Sequence, residues 1–317
     1  MVYPLKEIPK PIYEEANLER RRTIAKVTTY TLKYFTDFFI KKGFEWFLPI
    51  ILSKTTDPLW PDPGASIEKR IETEIYGENV RMMLSMIVHK MVIASLLTPK
   101  MFVLSPNIRI EKRERAFTGI HCFEFTQLDF EIRYASSKDV MSLVEELFKE
   151  YLNDIKRDLK EELKFLGTYE KINNYDLPFK VYDREELESK FGKEWEEKVK
   201  EEKTPVWIVN IPREFYDFED FEKGKWDNYD LFLPNIGEVL SGSRREYEYE
   251  KIVKKMERDG VRKENYSVLL KLAKEGRLKP SAGAGIGIER VIAWICGCNH
   301  IGEVQPFPRI PGYVFEL

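Results

Sequence analysis

Cysteine, glutamine and histidine are scarce in this chain, and neither sign of charge dominates it. Its 317 residues hold three cysteines, Cys122, Cys296 and Cys298, too few for a disulfide framework, which points to a reducing compartment. Cys296 and Cys298 have no other ligand-type cluster beside them, so they read as small buried apolar residues rather than a metal site. The only glutamines are Gln127 and Gln305, while Glu and Lys abound, a composition typical of hyperthermophile proteins. Lys and Arg number 51 against 54 Asp and Glu, a net charge of -3, which leaves no global basic footprint for nucleic acid. Long apolar runs are missing too. The most apolar stretch, 82–97, is interrupted by His89 and Lys90 and falls short of the ~20 residues a membrane helix needs. The opening MVYPLKEIPKP has no apolar segment that would mark secretion. A cytoplasmic protein without membrane contact is the expectation. Hydrophobic residues make up 43% of the chain and charged residues 33%, enough for a sizeable core, which excludes a disordered or fibrous chain. At roughly 150 residues per domain, the length admits two domains or one large domain with an insertion.

Periodicity supplies the elements. After a Pro-punctuated arm (1–16), Ile24, Val27, Tyr30, Tyr34, Phe35 and Phe38 recur at three and four residues and predict a helix over about 17–42, closed by Gly43. FEWFLPI reads as a short strand with Pro49 at its end, 57–64 as a loop, and about 79–97 as a second helix. Residues 101–134 read as two strands around the polar loop KRERAFTGIH. Ser137 is expected to cap a long helix reaching Phe165, stopped by Gly167. Within a variable region of about 167–225, the charged stretch 183–203 reads as a solvated surface excursion. Strands resume at VWIVNIP and NYDLFLPN, and amphipathic helices occupy about 248–259 and 263–274. The chain then runs from the strand SAGAGIGIE into the helix RVIAWICG. Strand runs with helices between and after them argue for an α+β fold around an antiparallel sheet, one domain over 1–317.

Three groups of residues could carry chemistry. Arg109 and Glu111 alternate with Ile108 and Ile110, and Glu124 alternates away from Phe125, Gln127 and Asp129 on the returning strand. An arginine fixed on a strand suits a phosphate oxygen, and Phe125 could stack on a flat base. A charged hairpin facing water explains the same residues equally well. Asp230 and Glu238 end adjacent extended segments and could hold Mg2+, with Arg244 and Arg245 after a Ser-Gly turn as a carboxylate clamp. Surface salt bridges are the plainer account. GAGIGIERV has glycines where a ligand could lie flat on the backbone, with Arg290 opening the next helix. Its spacing fits neither a dinucleotide fingerprint nor a Walker loop, and a Gly-rich strand packed under a helix stands beside that reading.

Together, Pro49 after the long helix, RIE with EFTQLDFE, and GIGIERV resemble the three signature motifs of class II aminoacyl-tRNA synthetases, in order. FEFTQLDFE, IGEVLSGSRRE and GCNHIGEVQPFPRIPG are similar to the aspartyl and asparaginyl members from about Arg20 onward. The resemblance implies that fold, and it implies ATP and Mg2+ as cofactors. Arg109 would hold the α-phosphate, Arg290 the γ-phosphate, and Phe125 would stack on adenine. Glu111, His121 and Glu124 would contact the nucleotide, and Asp230 and Glu238 would bind Mg2+. Lys90 and Arg245 would grip the aspartate carboxylate remote from ATP, with Asp129 facing the substrate amino nitrogen. A homodimer is implied, with the apolar and aromatic residues from Val27 to Phe47 as its surface.

The resemblance also has gaps. With the first motif's helix opening near residue 17, a catalytic core without an anticodon-binding domain is the expectation. Ile87 stands where the family has an orienting glutamine, Ile120-His121 where it has Arg-His, and Pro280-Ser281-Ala282-Gly283 where it has PHxG. In this the chain is similar to the archaeal asparagine synthetases related to asparaginyl-tRNA synthetase. That resemblance implies aspartate, ATP and ammonia giving asparagine, AMP and diphosphate through β-aspartyl-AMP, with no tRNA as partner. An aspartyl- or asparaginyl-tRNA synthetase core that charges tRNA through the α-carboxylate is the alternative, and a non-catalytic regulatory paralogue is a third.

Overall fold

The computed structural model describes residues 5–58 and 67–317. One sheet of eight strands organises it: β1 (Glu45–Trp46), β2 (Lys100–Ile108), β3 (Glu124–Arg133), β4 (Lys180–Asp183), β5 (Val206–Val209), β6 (Asn228–Leu233), β7 (Gly237–Arg244) and β8 (Ser281–Gly287). Their spatial order is β1-β2-β3-β8-β7-β6-β5-β4. The two outermost pairs are parallel, and every pair between them is antiparallel. This is the expected α+β architecture.

Side chains alternate across the sheet, and the two faces differ in kind. Leu128 and Phe130 on β3, Leu240 on β7, and Ala282, Ala284 and Ile286 on β8 all point to one face and are fully buried. Helices α1 (Glu19–Lys41), α3 (Ser137–Asp158) and α9 (Ile288–Cys296) cover them with Phe35, Phe39, Val144, Phe148, Val291 and Ile292. Each such side chain contributes about 1.5–3 kcal/mol by leaving water. The opposite face carries Gln127, Asp129 and Glu131 on β3, beside Gly283 and Gly285 on β8. Helix α2 (Ile87–Leu96) crosses that polar face, while α7 (Tyr249–Arg258) and α8 (Ser267–Lys274) pack with it in a second core around Phe215, Ile252 and Leu269.

The structure corrects several expectations. Residues 78–82 form a strand, paired antiparallel with Glu72–Ile75, so the helix expected from 79 starts only at Ile87. The cause is the turn Tyr76-Gly77, both at positive φ (52 and 77), the hairpin conformation that apolar periodicity does not reveal. Ser136, not Ser137, caps α3: its Oγ accepts from Asp139 N while Asp139 Oδ2 accepts from Ser136 N at 2.8 Å. The long helix breaks at Leu159, and α4 (Lys160–Leu166) continues from it. Ser241-Gly242 lies inside β7 rather than at a turn. The charged stretch is no solvated excursion. Asp183 caps α5 (Arg184–Phe191), α6 (Trp195–Lys200) follows, and Leu187, Trp195 and Val199 pack on Val206, Ile208 and Phe232. Val27, Phe35, Phe38, Phe39 and Phe44, assigned to a dimer surface, are buried in the chain's own core, leaving Ile40 and Trp46 exposed there. The loop expected at 57–64 lies, from 59 on, outside the described residues. Among the described residues no helix is long and apolar enough to cross a membrane.

Candidate active site

A cleft of about 510 Å³, counted to its open mouth, lies at the end of β3, β8 and β7. Arg109, Glu111, His121 and Phe125 form one wall, and Glu238, Gly285, Gly287 and Arg290 line the rest. The Arg109 guanidinium sits 5.1 Å from the centre of the Phe125 ring, and its Nε donates to Leu84 O at 3.0 Å. A cation thus lies beside an aromatic face, the pairing that a phosphate with an attached flat base needs. Arg290 projects from the first turn of α9, donates from Nη1 to Glu238 O at 2.7 Å and from Nε to Ile120 O at 3.3 Å.

Glu111 is buried with Oε2 lacking a hydrogen-bond partner, 3.8 Å from His121 Nε2. Burial pushes His121 down to about 2, helped by the positive charges of Arg290, Arg115 and Lys200. The imidazole is therefore neutral at physiological pH and offers a hydrogen bond, not a charge. Glu289, which also lines the cleft, accepts Thr126 N with both oxygens at 2.9 and 3.0 Å, and burial lifts its carboxyl to about 7. Glu124 does not belong here. It is exposed on the other side of β3, with Oε2 3.8 Å from Arg309 Nε, because strand alternation turns it away from Phe125.

Deeper on the same face lies a buried ionic cluster. Lys90 Nζ donates to Asp129 Oδ1 at 2.9 Å and to Ala284 O at 3.0 Å, and lies 3.9 Å from Glu131 Oε2. Arg245 donates from Nε to Glu131 Oε1 at 3.1 Å, from Nη1 to Asp217 Oδ1 at 2.9 Å and Ser243 Oγ at 2.7 Å, and from Nη2 to Gly283 O at 3.2 Å. The structure thus brings Lys90, Asp129 and Arg245 together, as assigned, but corrects the role of Arg245. Its donors are taken by protein acceptors, so it shapes the cluster rather than presenting an open face. Lys90 has three N–H groups and places two. Asp129 Oδ2 is buried without a partner. One donor and one anionic acceptor therefore remain for a ligand.

Glycine makes this arrangement possible. A Cβ on Gly283 would come within 2.2 Å of Glu131 Oε2, and one on Gly285 within 2.9 Å of Asp129 Oδ1. Gly285 also lines the cleft, so the cluster and the cleft are adjoining parts of one site. Sequence reasoning missed Glu131, although it follows Gln127 and Asp129 at the strand period, and missed Asp217, which carries no local signal. It also missed a second acidic group. The Tyr216 hydroxyl lies 3.0 Å from Asp57 Oδ2 and 3.1 Å from Glu214 Oε2, and its single proton cannot serve two anions. Burial pushes Glu214 up, with the negative charge of Asp57 adding to it, so Glu214 keeps a proton here.

Asp230 and Glu238 sit on the neighbouring strands β6 and β7, where a bulge follows Leu231. Arg213 pairs with one oxygen of Asp230, while Oδ1 is buried and unpartnered. Burial lifts this carboxyl to about 7, with Arg213 opposing and Glu238 adding to the rise. An orphan oxygen and a close second carboxylate fit a hard cation. No cluster of three or more metal-ligating side chains exists among the described residues, so such an ion would complete its shell with phosphate and water, as Mg2+ does.

Comparison with known proteins agrees with this geometry. Residues 11–311 match the family described as tRNA synthetases class II (D, K and N). An asparagine–tRNA ligase of Clostridium novyi is 28% identical over 242 residues, 67% of this chain and 51% of its own. One from Malacoplasma penetrans is 28% identical, covering 98% of this chain and 76% of that protein. The asparaginyl-tRNA synthetase of Pyrococcus horikoshii, solved with asparaginyl-adenylate, superposes with a TM-score of 0.80 at 24% identity, over 93% of this chain and 70% of that one. The chain spans about half the length of the first curated relatives it matches. These matches overturn the expected partners. The expectation is no tRNA as partner, yet these relatives are tRNA ligases, and none of the three is named for ammonia.

Proposed function

The chain belongs to the class II tRNA synthetases (D, K and N), and on that premise we propose that it is an ATP-dependent, adenylate-forming ligase. It activates aspartate on its α-carboxylate and passes the aspartyl group to tRNA. One observation carries the reading. A cleft with Arg109, Phe125 and Arg290 opens, across Gly285, onto a buried cluster whose spare groups are one Lys90 N–H and Asp129 Oδ2. Aspartate complements both: its side-chain carboxylate accepts from Lys90, and its ammonium donates to Asp129.

The chemistry follows from that placement. The substrate α-carboxylate, held at the boundary, attacks the α-phosphorus of ATP, the bond to the bridging oxygen breaks, and diphosphate leaves with the electron pair. Arg109 faces the α-phosphate as charge builds on its oxygens, and Arg290 faces the departing phosphates. Holding both reactants on one rigid sheet makes the step effectively unimolecular. Asp230 and Glu238 would hold Mg2+, which supplies charge neutralisation of the phosphates when bound. In the second step a ribose hydroxyl of tRNA attacks the acyl carbon and AMP leaves.

The test is ATP–diphosphate exchange with aspartate or asparagine, followed by transfer to tRNA. Exchange that depends on aspartate, with aspartyl-tRNA as product, is expected. Exchange with asparagine alone would refute the aspartate assignment. Formation of asparagine and AMP from aspartate and ammonium without tRNA would overturn α-carboxylate activation.

A further inference from the structure

The charged stretch between β4 and β5 leads back to the cleft. Helix α6 packs on β6 and β7. Its last residue, Lys200, is fixed there, with its carbonyl accepting Asn235 N at 3.0 Å. The Lys200 side chain lies over Gly237, where an added Cβ would come within 2.8 Å of Cε. Gly237 has φ +89, so glycine both adopts the backbone and leaves the lysine its track. The next residue, Glu238, lines the cleft, and the charge of Lys200 reaches His121 on the facing wall, as do those of Arg290 and Arg115. Among the described residues its ion-pair partner is Glu197, three positions earlier at 2.6 Å, and both side chains keep contact with solvent, at 22% and 36% exposure.

We propose that Lys200 is a further phosphate-binding residue, turning from Glu197 to the β- and γ-phosphates of ATP. The proposal rests on the adenylate-forming reading. Its physical reason is the charge that builds on the departing diphosphate, where a mobile cation adds to the anchored Arg290. His121 is neutral, and Arg290 already serves Glu238 O and Ile120 O. Lysine is a compact charge on a flexible stem, suited to following diphosphate as it departs. Arg109, tied to Leu84 O, is suited to holding the α-phosphate still.

Calorimetric titration of ATP and of AMP into the wild type, Lys200→Met and Lys200→Arg tests this. Lys200→Met is expected to weaken ATP roughly tenfold, the size of one charge-assisted hydrogen bond, and to leave AMP unchanged. Lys200→Arg is expected to restore most of the loss. An equal loss for ATP and AMP, or no loss for ATP, overturns the proposal while nucleotide binding by the wild type still stands. A wild type that binds neither nucleotide overturns the adenylate-forming reading and the proposal with it.

Discussion

Replacing Lys90 by methionine separates two roles that its position combines. Its ammonium is 2.9 Å from Asp129 and 3.9 Å from Glu131, and all three side chains are at most 2% exposed. Methionine keeps the length and removes the charge, so Asp129, which already has one unpartnered oxygen, loses its counter-charge in a dry site. Breaking a buried pair from one side costs about 3–5 kcal/mol. Asp129→Leu should cost less, about 1–3 kcal/mol, because Lys90 keeps Ala284 O and its distant contact with Glu131. The double variant Lys90→Met/Asp129→Leu removes both charges together and should lie within about 1 kcal/mol of the wild type, since apolar replacement of a whole buried pair is often neutral. Urea unfolding of the four proteins gives the coupling energy. Aspartate-dependent exchange on the same samples gives the functional role, and it should be lost in all three variants. A Lys90→Met protein as stable as the wild type, or a double variant that costs the sum of the two singles, would refute the buried-pair reasoning. Regained stability with regained exchange would refute the ligand role.

Gly283→Ala should be far more damaging than an ordinary glycine change in a strand. The new methyl would stand 2.2 Å from both Glu131 Oε2 and Phe130 O, so backbone must move, and a loss of about 3 kcal/mol or failure to fold is expected in a urea melt. A melt unchanged to within 1 kcal/mol would show that β3 and β8 are not this close. Glu289 gives a pH prediction. Its carboxyl is raised from 4.5 to about 7 in the folded chain, so the folded state binds the extra proton and its contribution is full below 4.5 and lost as pH rises through 7. Glu289→Gln should flatten that window by on the order of 3 kcal/mol relative to the wild type. Parallel stability profiles from pH 4.5 to 8 would sink the assignment.

Much of this site was legible because it lies on regular elements. The alternation of Gln127 and Asp129 on β3 fixes the polar face, and Phe125 follows on the same side. Arg109 was found by its alternation with Ile108 and Ile110 on an expected strand, and Arg290 by its place at the start of the helix after a Gly-rich strand. What stayed hidden depends on contacts far apart in sequence. Asp217 meets Arg245 across an isolated bridge 28 residues away, and Glu131 meets it across 114. Neither pairing has a local pattern. The hairpin at 72–82 was hidden differently: Ile75, Val80 and Met82 are too few to mark a period, and the paired positive φ values at Tyr76 and Gly77 show the reversal. In 183–203, Leu187, Trp195 and Val199 recur too sparsely among charges to announce a buried stripe, yet they are what seats α6.

This changes how an acidic amino acid can be selected. The sequence suggested two cations gripping one carboxylate. In the structure the cations Lys90 and Arg245 face three carboxylates, Asp129, Glu131 and Asp217, so the cluster as a whole does not attract anions. Selection must rest on individual unsatisfied groups, because an unpaired polar group in a buried site costs more than a paired one gains. Here those groups are one N–H of Lys90 and Asp129 Oδ2, held on one sheet face by glycines that no side chain can replace. A ligand with an ammonium but no side-chain acceptor satisfies Asp129 and leaves Lys90 short, and a dicarboxylate without an amine does the reverse. Arg245 then matters as the strut that holds Glu131 and Asp217 in place, keeping those two carboxylates from competing with the substrate for Lys90.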